Sequence, residues 1–271
     1  MRTSPHPITD ARCTVISNEA AHERYRHLVV QAPAPMLEVR PGQFFNLLCP
    51  PADTLTPFLR RPLSVYLREP SQGRLHFLYK IAGKGTQALA RLQPGATLDI
   101  FGPLGRGFWL QPTWRTLLVV ARGVGLATLA ALAQAAHEQG RRVVAVCSAR
   151  SPQDAVGLDA FRQVAEVYEI SDSMGTAAMP AVETLLRHII DKQNVDALFT
   201  CGSNRLLRLM QQLGSAYNLP GQVALEAHMA CGLGLCHGCV RPFMHNGRQV
   251  YRRVCTEGPV FDLQEAIAWK I

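Results

Sequence analysis

The sequence predicts an α+β protein of several domains: an antiparallel β-barrel, then a Rossmann-like α/β domain, then a small module rich in cysteine. Three observations lead to this prediction. Short apolar runs separated by Pro and Gly turns fill residues 12–100, apolar strands alternate with helical patterns beyond Pro112, and four of the eight cysteines fall within residues 231–255. The predicted parts span residues 1–111, 112–223 and 224–271.

The first part carries the alternating or β-branched runs that antiparallel strands require. Turn residues such as Arg40-Pro41-Gly42 separate the runs, a spacing typical of small barrels and sandwiches. The predicted strands are CTVIS (13–17), HLVVQA (27–32), FFNLLC (44–49), LSVYL (63–67), RLHFLYKI (74–81) and TLDIFG (97–102). One helix is predicted at residues 86–92, with Thr86 placed to cap it after Gly83-Lys84-Gly85.

The second part alternates between strand and helix patterns. Apolar strands are predicted at residues 117–121, 143–148, 197–202 and 222–228. The clearest helices are predicted at residues 126–139, 180–193 and 204–217. Strands that alternate with helices imply a parallel sheet covered on both faces. We therefore expect a nucleotide-binding domain over residues 112–223.

Composition and charge exclude several classes of protein. The 271 residues are 48% hydrophobic and 18% charged, which indicates a folded globular chain. The most apolar long stretch, 117–136, contains Arg122 and two glycines, so we expect no membrane span. The start, MRTSPHPITDARCT, lacks the apolar core of a signal peptide, so we expect a cytoplasmic protein. The net charge of +8 comes from scattered arginines without a basic aromatic face, so no nucleic-acid binding is expected.

The clustered cysteines predict an iron-sulfur site. They read C-x4-C-x2-C with a fourth cysteine after fifteen residues, which is the plant-type 2Fe-2S spacing. Three thiolates that reach one cluster from one loop need tight backbone curvature, and interspersed glycines allow it. The predicted ligands are Cys231, Cys236, Cys239 and Cys255, and the glycines are Gly232, Gly234 and Gly238. Residues 224–271 are therefore predicted to form a small C-terminal 2Fe-2S module.

Two other interpretations of the cysteines are a zinc site and a Rieske-type site. A zinc site of four cysteines usually uses two separated C-x2-C pairs, whereas this chain has one. A Rieske-type site would use histidine, and His237 lies in the loop, but four cysteines already suffice as ligands. We treat His237 as a surface residue.

Two motifs in the first part outline a cradle for a pyrophosphate. Arg60-Arg61-Pro62-Leu63-Ser64 begins a predicted strand, and Gly83-Lys84-Gly85-Thr86 begins a predicted helix. Arginine and serine bind phosphate oxygens, and glycines before a helix expose amide donors. Taken singly, each motif also fits an ordinary solvated surface.

The order of these motifs resembles the ferredoxin-NADP reductase-like flavoproteins, and most closely the iron-sulfur electron-transfer subunits of B-type dihydroorotate dehydrogenase. The similarity extends along nearly the whole chain, and LRRPLS and the cysteine segment are its most specific parts. The matching segments are PGQFFNLLC (41–49), LRRPLSV (59–65), GKGTQAL (83–89), GPLGRGF (102–108), GVGLA (123–127), CG (201–202), MACGLGLCHGC (229–239) and VCTEGPVF (254–261).

The resemblance implies an FAD site in the first part. The residues that it assigns to the flavin are Arg61, Pro62, Leu63, Ser64, Tyr79, Lys80 and Ile81, and those that it assigns to the pyrophosphate are Gly83, Gly85 and Thr86. Many relatives in the wider superfamily have a tyrosine where Leu63 stands. An aliphatic residue there loses the aromatic stacking energy of about 0.5–1.5 kcal/mol but agrees with the subunit family.

The resemblance also implies a site for NAD(P), formed by Gly123, Gly125, Cys201 and Gly202. Here the chain departs from the family pattern, because Arg122, Thr128 and Ser203 stand where glycine, proline and proline are expected. Arg122 either meets a pyrophosphate or fills the approach of the nicotinamide, and Cys201 is either near the nicotinamide or a small buried thiol. The resemblance favours NAD, whereas Arg150 after the second α/β strand suits a 2′-phosphate, as in NADP.

The family resemblance implies an electron relay within a hetero-oligomer. Electrons would pass between NAD(P), FAD, a 2Fe-2S cluster and the FMN-containing dihydroorotate dehydrogenase catalytic subunit, with pyrimidine biosynthesis as the implied pathway. Two alternatives stay open at this point. One is a diaphorase subunit of a hydrogenase, sulfide dehydrogenase or transhydrogenase type of complex, and the other is a non-catalytic redox sensor.

Overall fold

The computed structural model describes residues 8–51 and 57–268, which form three sheets and seven α-helices. An antiparallel sheet comes first, a mainly parallel α/β sheet follows, and a two-stranded hairpin lies beside the cysteines. The predicted fold class is confirmed.

The first sheet has seven antiparallel strands in the order β4-β3-β7-β1-β2-β6-β5 and forms a half-barrel. Its elements are β1 (Thr9–His22), β2 (Tyr25–Gln31), α1 (Ala34–Leu37), β3 (Phe44–Leu47), β4 (Arg61–Ser64), β5 (Leu67–Glu69), β6 (Arg74–Lys80), α2 (Lys84–Leu89) and β7 (Thr97–Leu104). Alternate residues of these strands point inward, where the buried rings of Phe45 and Phe77 meet edge to face, with centroids 5.8 Å apart.

The single strand predicted at residues 63–67 is two strands in the structure. β4 ends at Ser64 and pairs with β3, whereas β5 begins at Leu67 and pairs with β6. Between them, the Val65 N–H donates to the Gln43 carbonyl at 3.1 Å and the Tyr66 N–H donates to the His76 carbonyl at 2.9 Å. The apolar run therefore crosses from one edge of the curled sheet to the other.

The prediction that Thr86 caps a helix was also wrong in its detail. Helix α2 begins at Lys84 with Gly83 as its N-cap, so Thr86 lies inside the first turn. Its hydroxyl reaches back to accept the N–H groups of Ala82 and Gly83 at 2.9 and 3.1 Å. The threonine therefore supports the helix start from the third position, as the distal residue of a capping box does.

The second sheet has the order β10-β9-β8-β11-β12-β15, in which only β15 is antiparallel to its neighbour. Its strands are β8 (Thr116–Arg122), β9 (Arg142–Ala149), β10 (Glu166–Ser171), β11 (Ala197–Cys201), β12 (Gly221–Ala224) and β15 (Val260–Asp262). The helices are α3 (Gly125–Glu138), α4 (Leu158–Arg162), α5 (Met179–Gln193) and α6 (Asn204–Ala216). The central strands are buried on both faces, as near-continuous apolar sequences require.

The strand predicted at residues 222–228 ends earlier, at Ala224. The next residue, Leu225, donates its N–H to the carbonyl of Pro259 at 2.9 Å. The pairing of β12 with β11 also ends at Ala224, opposite Cys201.

The most apolar stretch of the sequence is divided between β8 and α3. Gly123, with φ +57°, turns the chain between the two elements. Among the described residues, none of the helices combines the length and the apolarity that a membrane span needs.

The cysteine segment folds around a hairpin of β13 (Val240–His245) and β14 (Arg248–Arg253), followed by α7 (Val254–Glu257). Asn246 and Gly247 both have positive φ, as a tight two-residue hairpin turn requires. Phe243 of the hairpin packs on Phe261 of β15, with ring centroids 4.3 Å apart. Because β15 belongs to the α/β sheet, the third region is joined to the second, and the boundaries at 111/112 and 223/224 stay predictions.

Phe199, in the middle of β11, provides a test of this core. Its ring is fully buried and meets Phe108 and Trp114, with centroids 5.8 and 6.0 Å away. Phe199→Ala is expected to lower the free energy of unfolding by about 3–5 kcal/mol, because the lost ring leaves a cavity. Phe199→Leu fills much of that space and is expected to cost clearly less. Urea unfolding followed by tryptophan fluorescence measures both, and equal losses would contradict a packing role.

Candidate functional site

The four clustered cysteines lie on two adjacent segments. Cys231, Cys236 and Cys239 belong to the loop between β12 and β13, and Cys255 lies on α7. The loop depends on glycine at two places, since Gly232 and Gly234 have φ +71° and +81°. These are two of the three glycines that the sequence analysis singled out.

Backbone amides of this segment point at the sulfurs. The N–H groups of Leu233 and Cys236 donate to Cys231 Sγ at 3.4 and 3.5 Å. Cys236 Sγ accepts the Gly238 N–H at 3.5 Å, and Cys239 Sγ accepts the Cys255 N–H at 3.4 Å. Such N–H donors are one of the means by which proteins set the potential of an iron-sulfur cluster.

The thiols form two neighbouring pairs. Cys231 is hydrogen bonded to Cys236, and Cys255 to Cys239. Burial alone would raise the pKa of Cys231, but the amide donors of the loop and the Cys236 thiol lower this pKa to about 6. Burial and the adjoining Cys239 thiol raise the pKa of Cys255 to about 12.

This arrangement fits a binuclear cluster, in which each iron takes two protein ligands. In residues 8–51 and 57–268, no three His, Cys, Asp or Glu side chains converge as ligands of a single metal ion would. His237 is exposed, in agreement with its treatment as a surface residue. The donor set is thus four thiols in two pairs, and thiolates are the ligands that iron-sulfur clusters take.

Asn46 of the half-barrel anchors the cysteine loop, and sequence reasoning missed it. Its buried side-chain amide donates to the carbonyl of Cys231 at 3.3 Å. A Cβ on Gly232 would lie only 2.4 Å from Asn46 Nδ2, so glycine is needed where the loop meets β3. The signal for Asn46 was a polar residue within the apolar run FFNLLC.

A cleft of about 260 Å³ lies where the half-barrel, the α/β sheet and the cysteine segment meet. Five residues predicted to contact FAD line it: Pro62, Leu63, Ser64, Tyr79 and Lys80. Ten further residues line it that were not predicted to contact the flavin: Phe44, Leu78, Val124, Ala127, Thr128, Leu225, Glu226, Ala227, Met229 and Pro259. The cleft has an apolar floor and few charged groups, as a site for a flat aromatic ring requires.

The remaining residues predicted to bind FAD lie outside this cleft. The guanidinium of Arg61 covers Gly85, where an added Cβ would lie 2.5 Å from Arg61 Nε. Gly83 has open space around it, and the Thr86 hydroxyl is engaged in the turn. Ile81 donates its N–H to the Arg24 carbonyl at 2.7 Å. The structure thus brings Arg61 to the start of α2 and leaves Ile81 beside the β1–β2 turn.

The residues predicted to receive NAD(P) meet at the carboxyl ends of β8 and β11. Gly202 has φ +93°, and a Cβ there would lie 2.1 Å from the carbonyl oxygen of Arg122. A Cβ on Gly125 would lie 2.7 Å from the backbone of Cys201. Glycine is therefore required at both positions, because a side chain would collide with the neighbouring backbone. Cys201 is fully buried, and burial raises the pKa of its thiol.

Arg122 points away from Cys201. Its guanidinium donates to Ser148 Oγ at 2.7 Å and to Asp172 Oδ2 at 2.5 Å, so it extends across the ends of β9 and β10. Because β11 flanks β8 on the other side, Arg122 leaves the approach to Cys201 open. Ser203 caps α6, accepting the Leu206 N–H at 3.4 Å.

Glu226 lies where three cavities adjoin: the cleft, a cavity of about 440 Å³ along β8 and β9, and one of about 120 Å³ beside Cys201. Burial raises the pKa of the Glu226 carboxyl group, and the positive charge of Arg241 opposes this rise. Arg241, buried on β13, donates to the Glu226 carbonyl at 2.7 Å. The hairpin therefore fixes the segment that carries Glu226.

Comparisons with known proteins agree with this arrangement. Residues 12–109 match the "Oxidoreductase FAD-binding domain" family, and residues 226–267 match the "Iron-sulfur cluster binding domain of dihydroorotate dehydrogenase B" family. The chain is 32% identical to the dihydroorotate dehydrogenase B (NAD(+)) electron transfer subunit of Bacillus caldolyticus, covering 94% of this chain and 98% of the relative. The corresponding subunit of Desulforamulus reducens is 32% identical over 82% of this chain and 84% of the relative.

A solved structure extends the similarity to the whole fold. The structure of an NADH-dependent reduced ferredoxin-NADP oxidoreductase superposes with a TM-score of 0.80 at 25% identity, covering 95% of this chain and 90% of the other. The family resemblance inferred from the motifs is confirmed: the chain belongs to the electron transfer subunits of dihydroorotate dehydrogenase B, a family of oxidoreductase subunits.

Proposed function

We propose that this chain relays electrons between a nicotinamide nucleotide, FAD and a 2Fe-2S cluster, in complex with an FMN-containing dihydroorotate dehydrogenase catalytic subunit. One observation carries the proposal. The cleft is lined by Leu63 and Ser64 of the half-barrel and also by Glu226 and Pro259. Glu226 lies just before the cysteine loop, and Pro259 lies just after α7. A flavin site and a cluster site therefore share a wall.

Particular residues would hold each cofactor. Leu63, Ser64 and Tyr79 would contact the flavin ring system, and Arg61 with Gly83, Gly85 and Thr86 would hold its pyrophosphate. The four thiols in two pairs would hold the cluster. When bound, FAD supplies the chemistry that joins two-electron hydride transfer to the one-electron chemistry of the cluster. The protein supplies position, apolar walls that exclude water, and N–H donors toward the sulfurs.

Exposed apolar side chains around the cysteine segment support a protein partner. Leu235 and Tyr251 are 79% and 67% exposed, and Leu233 and Met244 are about 40% exposed. Apolar groups of this size beside a redox site are typical of an interface.

All eight cysteines are free thiols, which supports our proposal that the protein works in the reducing cytoplasm.

A second candidate is the same relay within another redox complex. Arg122, Thr128 and Ser203 replace the glycine and prolines of the family pattern, and this departure favours a different partner. Co-purification from the native host separates the two: an FMN-containing dihydroorotate dehydrogenase supports the first, and other redox subunits support the second.

Cys236→Ser tests the relay. The exposed Cys236 belongs to the thiol pair farther from the core, so we expect loss of the cluster with retention of FAD. In the anaerobic wild-type protein, NAD(P)H should bleach the flavin and give the paramagnetic signal of a reduced cluster. In the variant, only the bleaching should remain. A wild-type protein that neither nucleotide bleaches would exclude the relay, and loss of FAD with the cluster would contradict separate cofactor sites.

Asn46→Ala tests the contact between β3 and the cysteine loop. One buried hydrogen bond contributes about 1 kcal/mol, so we expect the cluster to be lost to an iron chelator roughly fivefold faster. The decay of visible absorbance at constant FAD content measures this rate. Gln249→Ala, at an exposed position of the hairpin, is the control and should decay like the wild type. Equal rates for Asn46→Ala and the control would refute the anchoring role.

Arg61→Ala tests the pyrophosphate site. A charge-assisted hydrogen bond to phosphate contributes about 1.5–3 kcal/mol, so the dissociation constant for FAD should rise by roughly tenfold to hundredfold. Arg91→Ala, at an exposed position after α2, is the matched control. Titration of the apoprotein with FAD, followed by flavin fluorescence, compares the two. An Arg61 variant that binds FAD as tightly as the control would remove this residue from the site.

A further inference from the structure

Three tyrosines are buried in the part of the chain that the structure describes, and their hydroxyls differ. The Tyr66 hydroxyl donates to the Gly157 carbonyl at 3.5 Å, and the Tyr79 hydroxyl donates to Asn18 Oδ1 at 3.2 Å. Tyr25 is only 7% exposed, yet its hydroxyl has no hydrogen-bond partner among the described residues. Because buried hydroxyls normally have a partner, the Tyr25 hydroxyl calls for one from outside the chain.

The ring of Tyr25 is fixed at the seam between the half-barrel and the α/β sheet. Tyr25 begins β2 and pairs with Lys80 of β6, so its backbone belongs to the half-barrel. Its ring belongs to the same buried cluster as Leu126 of α3 and Phe161 of α4. A ring packed between the two sheets holds its hydroxyl in one direction.

That hydroxyl faces the glycine turn before α3. Tyr25 and Gly123 line the same cavity of about 440 Å³, and a Cβ on Gly123 would lie 3.9 Å from the Tyr25 oxygen. Val124 is the N-cap of α3, a helix of 14 residues. The first N–H groups of a helix have no acceptor within the helix and attract anions. The tyrosine hydroxyl and the start of α3 therefore face the same space.

The Tyr25 hydroxyl is a donor at neutral pH. Burial raises the pKa of Tyr25, and the charges of Asp154 and Glu226 raise it further, whereas Arg150 and Arg24 oppose the rise. A phenol that keeps its proton donates one hydrogen bond. The group that it would bind is thus an acceptor, as a phosphate oxygen is.

The same cavity carries charges of both signs. Lys80 and Arg150 supply positive charge, and Asp154 and Glu226 supply carboxylates. A pyridine dinucleotide has matching groups, since its phosphates accept hydrogen bonds and its ribose hydroxyls donate them. Lys80 and Glu226 also line the cleft beside Leu63, so the cavity and the flavin cleft adjoin.

We propose that Tyr25 binds the pyridine dinucleotide of the relay by donating its hydroxyl to a pyrophosphate oxygen beside the Gly123 turn. The inference rests on the proposed function and adds a residue of the half-barrel to a site that the sequence analysis built from the α/β region alone. Because Tyr25 pairs with Lys80, this contact ties the dinucleotide to a strand that also lines the flavin cleft.

Tyr25→Phe tests the contact in the FAD-loaded protein, because it removes the hydroxyl and keeps the packed ring. The probe is ADP-ribose, which carries the pyrophosphate and lacks the nicotinamide. In calorimetric titration we expect its dissociation constant to rise by about tenfold, since a hydrogen bond to a charged group is lost. At saturation, the phosphorus NMR shifts of bound ADP-ribose should differ between the variant and the wild type. Unchanged affinity and unchanged shifts would overturn the inference.

Tyr66→Phe is the matched control. It removes the same atom from a buried tyrosine whose hydroxyl already has a partner, and Tyr66 does not line the cavity. This control should bind ADP-ribose like the wild type. Tyr25→Phe should unfold at the wild-type urea concentration, because its hydroxyl has no partner within the described chain. A Tyr25 variant that loses stability together with ADP-ribose binding would show a structural role and would overturn the inference.

Flavin reduction separates failure of this inference from failure of the proposed function. In Tyr25→Phe, the concentration of NAD(P)H that gives half-maximal anaerobic bleaching should rise by about tenfold, with little change in the rate at saturation. Bleaching and ADP-ribose binding that both equal those of the wild type overturn the inference and leave the relay intact. A wild-type protein that binds no ADP-ribose, and whose flavin neither nucleotide bleaches, overturns both.

Discussion

The contact between strand β3 and the cysteine loop is the constraint on which the proposed electron path depends. Phe44 and Asn46 are two residues apart and so share one face of β3. Phe44 lines the cleft, and Asn46 donates to the carbonyl of Cys231. A single short strand therefore contacts both the cleft and the cysteine loop. Gly232 permits this approach because it has no Cβ to meet the Asn46 amide.

A second constraint joins the cysteine segment to the α/β sheet. β15 extends that sheet beside β12, while Arg241 of the hairpin donates to the backbone of Glu226. Pro259, just before β15, both lines the cleft and accepts the Leu225 N–H. Because these links converge on the segment after β12, a shift of the hairpin would move the wall of the cleft as well. The cysteine segment and the wall of the cleft are thus mechanically one unit.

The edge of the α/β sheet shows how one substitution changes a site through its neighbours. At the position where the family resemblance predicts a glycine, Arg122 extends across the ends of β9 and β10 and binds Asp172. The close backbone contacts at this edge are still made by glycines, since Gly202 packs on the Arg122 carbonyl and Gly125 packs on the backbone of Cys201. The arginine is therefore accommodated without filling the space beside Cys201, and it changes the charge balance at the opposite end of the cavity.

The sequence by itself determined the fold class and the family, because the alternation of strands and helices and the order of the motifs depend on local geometry and periodicity. The cysteine spacing and the glycines between the cysteines predicted the cluster ligands, and these stay a prediction. Sequence reasoning was wrong where tertiary contacts decided the outcome. The run at 63–67 breaks because its two halves pair with different edges of a curled sheet, and Thr86 acts from inside α2 because its hydroxyl reaches back to the turn. Asn46, Arg241 and the direction of Arg122 emerged only from the structure, since each depends on a partner far away in the sequence.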